Sequence, residues 1–151
     1  MATTTVVGAY REESIIGKVI AADPIKEGTS STSDVTVKEF TLDNIPEGEW
    51  IVEIRALTFR SGGDGNSSFM IKHYDASEGT TTTIRWENHL VDTGGYANGT
   101  DYNVEMISYA VVEKGDKIQI NLRASPTNGG YTYVEQVYVK IVGKPYASIT
   151  A

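Results

Sequence analysis

The sequence predicts an all-β protein built as an antiparallel sandwich or barrel. Three observations carry that prediction. Apolar and polar residues alternate with period two through most of the chain, turn-forming segments separate the alternating runs, and no window holds a capped helical stripe.

Taken in order, the residues up to about Arg11 are small, Thr-rich and aperiodic, which predicts an extended N-terminal arm or edge strand. We place the arm at 1–13 and a single domain at 14–151. Ile15, Ile16, Val19 and Ile20 give the next segment more apolar surface than a half-buried strand needs. It is either a central core strand or a strand packed against a neighbouring subunit. The polar run Lys26–Ser33 is a loop. Val35, Val37 and Glu39 then point one way, with Asp34, Thr36 and Lys38 opposite. Trp50, Val52 and Ile54 alternate with Ile51, Glu53 and Arg55, while Leu57 and Phe59 sit on the other parity. That switch predicts a β-bulge near Ala56 or a strand covered on both faces. Phe69, Ile71 and His73 alternate with Met70, Lys72 and Tyr74. Thr80–Trp86 is β-branched and then aromatic, as strands prefer. Tyr102, Val104 and Met106 lead into Ile107–Val112. Ile118, Ile120 and Leu122 form the clearest half-buried strand. Finally Tyr131, Tyr133, Glu135, Val137, Val139 and Ile141 oppose Thr132, Val134, Gln136, Tyr138, Lys140 and Val142. The expected core is Trp50, Val52, Ile54, Phe69, Ile71, Val104, Met106, Ile118, Ile120, Leu122, Val137, Val139 and Ile141. Turn chemistry falls between these runs, at Pro46-Glu47-Gly48, Gly62–Asn66, Asp92–Gly95, Asn98-Gly99, Lys114-Gly115-Asp116 and Asn128–Gly130.

Composition narrows the function. At 151 residues and 40% hydrophobic content, the chain buries a core without disulfide or metal staples. With no cysteine, thiol catalysis and cysteine zinc sites are excluded. A net charge of −7 with scattered cations argues against nucleic acid. No apolar run suits a helical membrane span, and the N-terminal residues lack a secretory pattern, so membrane and secreted locations are not expected.

Sites for chemistry are sparse. His73 and His89 are the two histidines, with Asp75 or Asp92 as possible orienting partners, and no nucleophile motif accompanies them. Glu49, Glu53, Glu105 and Glu135 invite a glycosidase carboxylate pair, but strand glutamates ordinarily face solvent or pair with Lys or Arg. Ser61–Ser68 has the glycines and the Asp64/Asn66 oxygens of a calcium loop, yet one carboxylate where calcium needs several. The expectation is no catalysis, no cofactor and no metal. Nine tyrosines and two tryptophans suggest sugar binding or subunit contact. Under the sugar reading, Tyr96, Asn98 and Tyr131, at or beside turns, are the binding residues.

Three segments carry a resemblance. Pro46–Ile54 resembles the early strand of the trimeric jelly-roll group typified by the C1q and tumour-necrosis-factor domains. Val111–Ile120, with Gly115-Asp116, resembles its Gly-Asp hairpin, and Tyr131–Gly143 its closing aromatic strand. The resemblance implies an antiparallel jelly-roll sandwich and a homotrimer. The chain lacks the paired phenylalanines, collagen-like stalk and secretion signal of the eukaryotic members. Being acidic, cysteine-free and rich in Thr and Gly, it looks more like the jelly rolls of bacteriophage virions. That implies a capsid decoration (cement) protein, made in the host cytoplasm and bound to the major capsid protein on the outer capsid surface. The expected subunit and capsid contacts are Val6, Val7, Tyr10, Ile15, Ile16, Tyr131, Tyr133 and Tyr138. The rival reading is a lectin-like fibre tip that binds a host glycan.

Overall fold

A computed structural model describes residues 15–61, 65–91, 102–124 and 130–145. Among these residues there is no helix, and nine strands are formed. They are β1 (Val19–Asp23), β2 (Glu27–Thr29), β3 (Val35–Thr41), β4 (Glu49–Ser61), β5 (Gly65–Asp75), β6 (Thr80–Val91), β7 (Tyr102–Glu113), β8 (Lys117–Arg123) and β9 (Tyr131–Gly143).

Their pairing nests. The β5–β6 hairpin lies at the centre of the chain; β4 pairs with β7, β3 with β8, and β1 and β2 with β9. An antiparallel ribbon rolled up in this way is the jelly roll. It yields a five-stranded sheet, ordered β1-β9-β4-β7 with β2 also on β9, and a four-stranded sheet, ordered β3-β8-β5-β6.

The core lies between the sheets. Of the expected core, Trp50, Val52, Ile54, Phe69, Ile71, Met106, Ile118, Ile120, Leu122, Val137, Val139 and Ile141 are buried, while the Val104 side chain lies outside the described residues. Leu42, Ile45, Ala56, Val112 and Val134 complete the layer.

Bulges overturn three details of the alternation. β4 keeps one parity throughout, with Trp50, Val52, Ile54, Ala56, Thr58 and Arg60 buried, so there is no switch at Ala56. The bulge is in the partner strand: Leu57 pairs with Gln136 but Thr58 with Val134, leaving Glu135 unmatched. A two-against-one bulge reverses the parity of the bulged strand. Thr132 and Val134 therefore point inward before it, Val137, Val139 and Ile141 after it, and Tyr131 and Tyr133 are turned to the outer face. In β3, a register shift at Val37 brings Lys38 inward, contrary to the simple alternation. Lys38 is 4% exposed, and its ammonium meets Asp23 at 2.8 Å, Glu27 at 3.2 Å and the Ile25 carbonyl at 2.6 Å. A buried charge needs such partners, and this one ties β3 to the β1–β2 segment across the open edge of the sandwich. Finally, β1 is an edge strand paired with β9, not a central core strand.

Gly28 is required by close approach. A Cβ there would press into the Thr132 carbonyl oxygen and the Tyr133 Cβ, so only glycine lets β2 reach β9.

Candidate functional site: two contrasting outer faces

Because cross-strand partners share a face, register fixes what each sheet shows to the outside. On the five-stranded sheet, Val111 lies beside Ile51, Tyr109 beside Glu53, Ile107 beside Arg55, and Tyr138 on the other flank of Arg55. Tyr109 and Val111 are 58% and 45% exposed, although both are large and apolar in body. The charges among them are matched. Tyr138 Oη donates to Glu53 at 2.8 Å and Tyr109 Oη to the other carboxylate oxygen at 3.2 Å. Arg55 lies 3.6 Å from Glu53 and 3.5 Å from Glu105. The Tyr138 hydroxyl, more than any other group, holds the Glu53 carboxyl below its ordinary range. Burial, followed by Glu53 itself, pushes the Tyr138 phenol up. Glu53 and Glu105 thus flank an arginine instead of forming a free carboxylate pair. Farther along, Tyr133 stacks on Phe59 at 5.0 Å and 8°, Tyr131 stacks on Tyr133 at 5.6 Å, and Lys26 Nζ sits 4.1 Å over the Tyr133 ring.

The structure therefore gathers Tyr131, Tyr133 and Tyr138 on one sheet face. Ile15 is instead half-buried against the core and lines a groove of about 670 Å³ with Val19, Ile20 and Ile45, while Ile16 is exposed. The contacts expected at Val6, Val7 and Tyr10, and the glycan residues Tyr96 and Asn98, lie outside the described residues, as does Asp64. Tyr131, the remaining member of that glycan set, stacks on Tyr133.

The four-stranded sheet shows a polar face. Thr36 donates to Asn121 at 3.0 Å, Gln119 to Glu39 at 2.8 Å and Arg123 to Ser68 at 2.8 Å; Ser68 in turn donates to Asn88 at 3.1 Å. One aromatic interrupts it. A register shift in β5–β6 leaves Ile84 unmatched, sends it toward the core and brings Trp86 opposite Met70, where the indole is 61% exposed.

His73 finds a different partner from those expected. Its Nε2 lies 2.8 Å from Asp116 Oδ2, and the same carboxylate accepts the Glu113 and Ala76 N–H groups, each at 3.0 Å. Asp116 also accepts from the Leu42 N–H through its own carbonyl at 2.8 Å. The Gly-Asp pair is thus a latch joining the β7–β8 turn to the ends of β3 and β5, with His73 as one of its supports. Asp75 is engaged elsewhere, capping Ser77 and Glu78 in the β5–β6 turn. His89 lies in β6, its side chain outside the described residues. Among the described residues, no cluster of His, Asp or Glu is placed to hold a metal ion.

The latch role of Asp116 and the exposure of Trp86 and Val111 do not follow from the alternation and turn pattern alone. The adjacent pair Val111-Val112 held a signal, since neighbours in a strand face opposite ways and one valine must look outward.

The nested pairing defines the class: an antiparallel jelly-roll sandwich. Among solved structures, the chain is similar to the Eiger tumour-necrosis-factor protein of S. frugiperda, with a TM-score of 0.53 and 7% identity over 66% of this chain and 63% of that one. It is also similar to part of the insecticidal δ-endotoxin Cry8Ea1 of Bacillus thuringiensis, with a TM-score of 0.50 and 13% identity over 78% of this chain and 20% of that one. The globular domain of zebrafish complement C1qA aligns at a TM-score of 0.49 and 12% identity, over 85% of this chain and 99% of that one. At such identities the likeness is one of fold. No family model and no curated protein matches the sequence.

Proposed function

We propose that this chain is a self-assembling structural protein, a homotrimer held through the outer face of its five-stranded sheet, and that it decorates the outer surface of a capsid. The observation that carries the self-assembly is the cluster of large side chains, exposed or half-buried, on that face. There Tyr109, Tyr138, Val111, Ile51 and Ile107 surround Glu53 and Glu105, which are paired with Arg55, and Lys140 lies beside Glu53. Carboxylates already bonded to tyrosine and arginine enter an interface at lower desolvation cost than free ones. Tyr and Arg are also the residues that anchor interfaces. The reading is supported by the fold likeness to a tumour-necrosis-factor protein.

The capsid role rests on the acidic, cysteine-free composition and the jelly-roll architecture, and it assigns the protein no catalysis. Acidic charge keeps such subunits soluble until they meet their shell. Removal of residues 1–10 is expected to weaken attachment more than folding, since the described core lies beyond them. Density-gradient sedimentation of virions tests the role: the protein should travel with intact particles. Recovery only from the soluble fraction would refute the capsid role and leave self-assembly standing.

A further inference from the structure

The polar sheet contains a cleft of about 420 Å³ with Met70 as its floor, Trp86 as one wall and Asp34, Ser68, Lys72 and Arg123 around it. From this geometry we infer that the cleft is a glycan-binding site for a pyranose bearing a carboxylate, of the uronic or sialic acid class.

The aromatic wall is the first reason. Trp50 is fully buried, whereas Trp86 leaves 61% of its surface in water on a strand fixed on a sheet. Tryptophan has only two side-chain torsions to fix on binding, and an indole at the surface offers a flat apolar face. The C–H face of a pyranose matches it. The second reason is the spacing of polar groups. Arg123 uses one N–H on Ser68, at 2.8 Å, and a guanidinium carries five donors. Lys72 Nζ is 3.9 Å from Asp34 Oδ2, a loose pairing that leaves ammonium donors and carboxylate acceptors for ligand hydroxyls. The third reason is charge. Two cations against one carboxylate make a locally positive cleft in a chain of net charge −7, so an acidic ligand is drawn to this cleft. Size agrees: small-molecule sites span roughly 300–1,000 Å³. The site lies on the opposite sheet from the proposed subunit interface, so binding and assembly are separable.

The test uses tryptophan fluorescence of the full chain, with trigalacturonate and 3′-sialyllactose as acidic probes and xylotriose and lactose as neutral ones. At least one acidic sugar should quench or blue-shift the emission, with affinity at least tenfold above its neutral counterpart and falling as salt rises. Which acid responds identifies the source of the carboxylate. Trp86→Ala should abolish binding, read by calorimetry, while leaving the melting temperature within about 2 °C, as expected for an exposed site. Arg123→Gln should reduce the acidic sugar to the neutral level. Silence from both acids up to about 10 mM, where even a ~1 mM site is saturated, would overturn the inference. So would equal binding of neutral sugars, or unchanged binding by Trp86→Ala.

Discussion

Replacing Asp116 with alanine should be among the most damaging single polar substitutions in the protein. The residue is 3% exposed, and its carboxylate accepts from Glu113 N–H, Ala76 N–H and His73. A hydrogen bond to a charged group is worth about 1.5–3 kcal/mol, and a donor left unsatisfied costs about as much. Three such bonds set a ceiling near 9 kcal/mol, but both backbone donors are only part-buried and water reaches them after the change. We expect a loss of about 3–5 kcal/mol, which for a chain of this length lowers the melting temperature by roughly 6–20 °C. His73→Ala removes one of the three contacts and should cost about 1–2 kcal/mol. Asp116→Asn, which keeps one acceptor oxygen, should fall between them. Thermal melts followed by circular dichroism give all three values. An Asp116→Ala protein melting within about 2 °C of the parent, or a His73→Ala protein that is the worse of the two, would refute the latch.

Lys38 lowers the Asp23 carboxyl below its ordinary value of 3.8, chiefly by a direct hydrogen bond. A depressed folded-state value means stability present above the unfolded value and lost as pH falls through the folded one. Urea midpoints should therefore drop below about pH 4, and Lys38→Met should flatten that drop. In the outer-face network, Tyr138→Phe should return the Glu53 carboxyl upward toward 4.5, followed by carboxyl-carbon NMR titration. Gly28→Ala forces a methyl against Thr132 and Tyr133 and should cost about 1–3 kcal/mol, with amide-exchange protection lost first along β2.

Much of the fold was legible because period two is a local property. The alternation of Trp50-Val52-Ile54 or Ile118-Ile120-Leu122 needs no distant partner to be read, and turn residues such as Pro46-Glu47-Gly48 mark the strand ends. Bulges were not legible. The parity change at Glu135 depends on β4 lying alongside, and the chain gives no local mark of it. Trp86 was hidden for the same reason: its outward direction follows from the unmatched Ile84 beside β5. The tyrosines at 131, 133 and 138 were readable as surface contacts by type, though not their gathering on one face. Asp116 looked like ordinary turn chemistry because its partner His73 is 43 positions away in sequence.

The central claim is assembly through the five-stranded sheet, and sedimentation equilibrium of the parent and of Val111→Arg tests it most directly. Val111 is 45% exposed, so arginine there leaves the isolated fold intact but places an unmatched charge in the proposed interface. The parent should sediment as a trimer at micromolar concentration and the variant as a monomer with the same circular dichroism spectrum. A monomeric parent, or a variant that remains trimeric, would contradict the account.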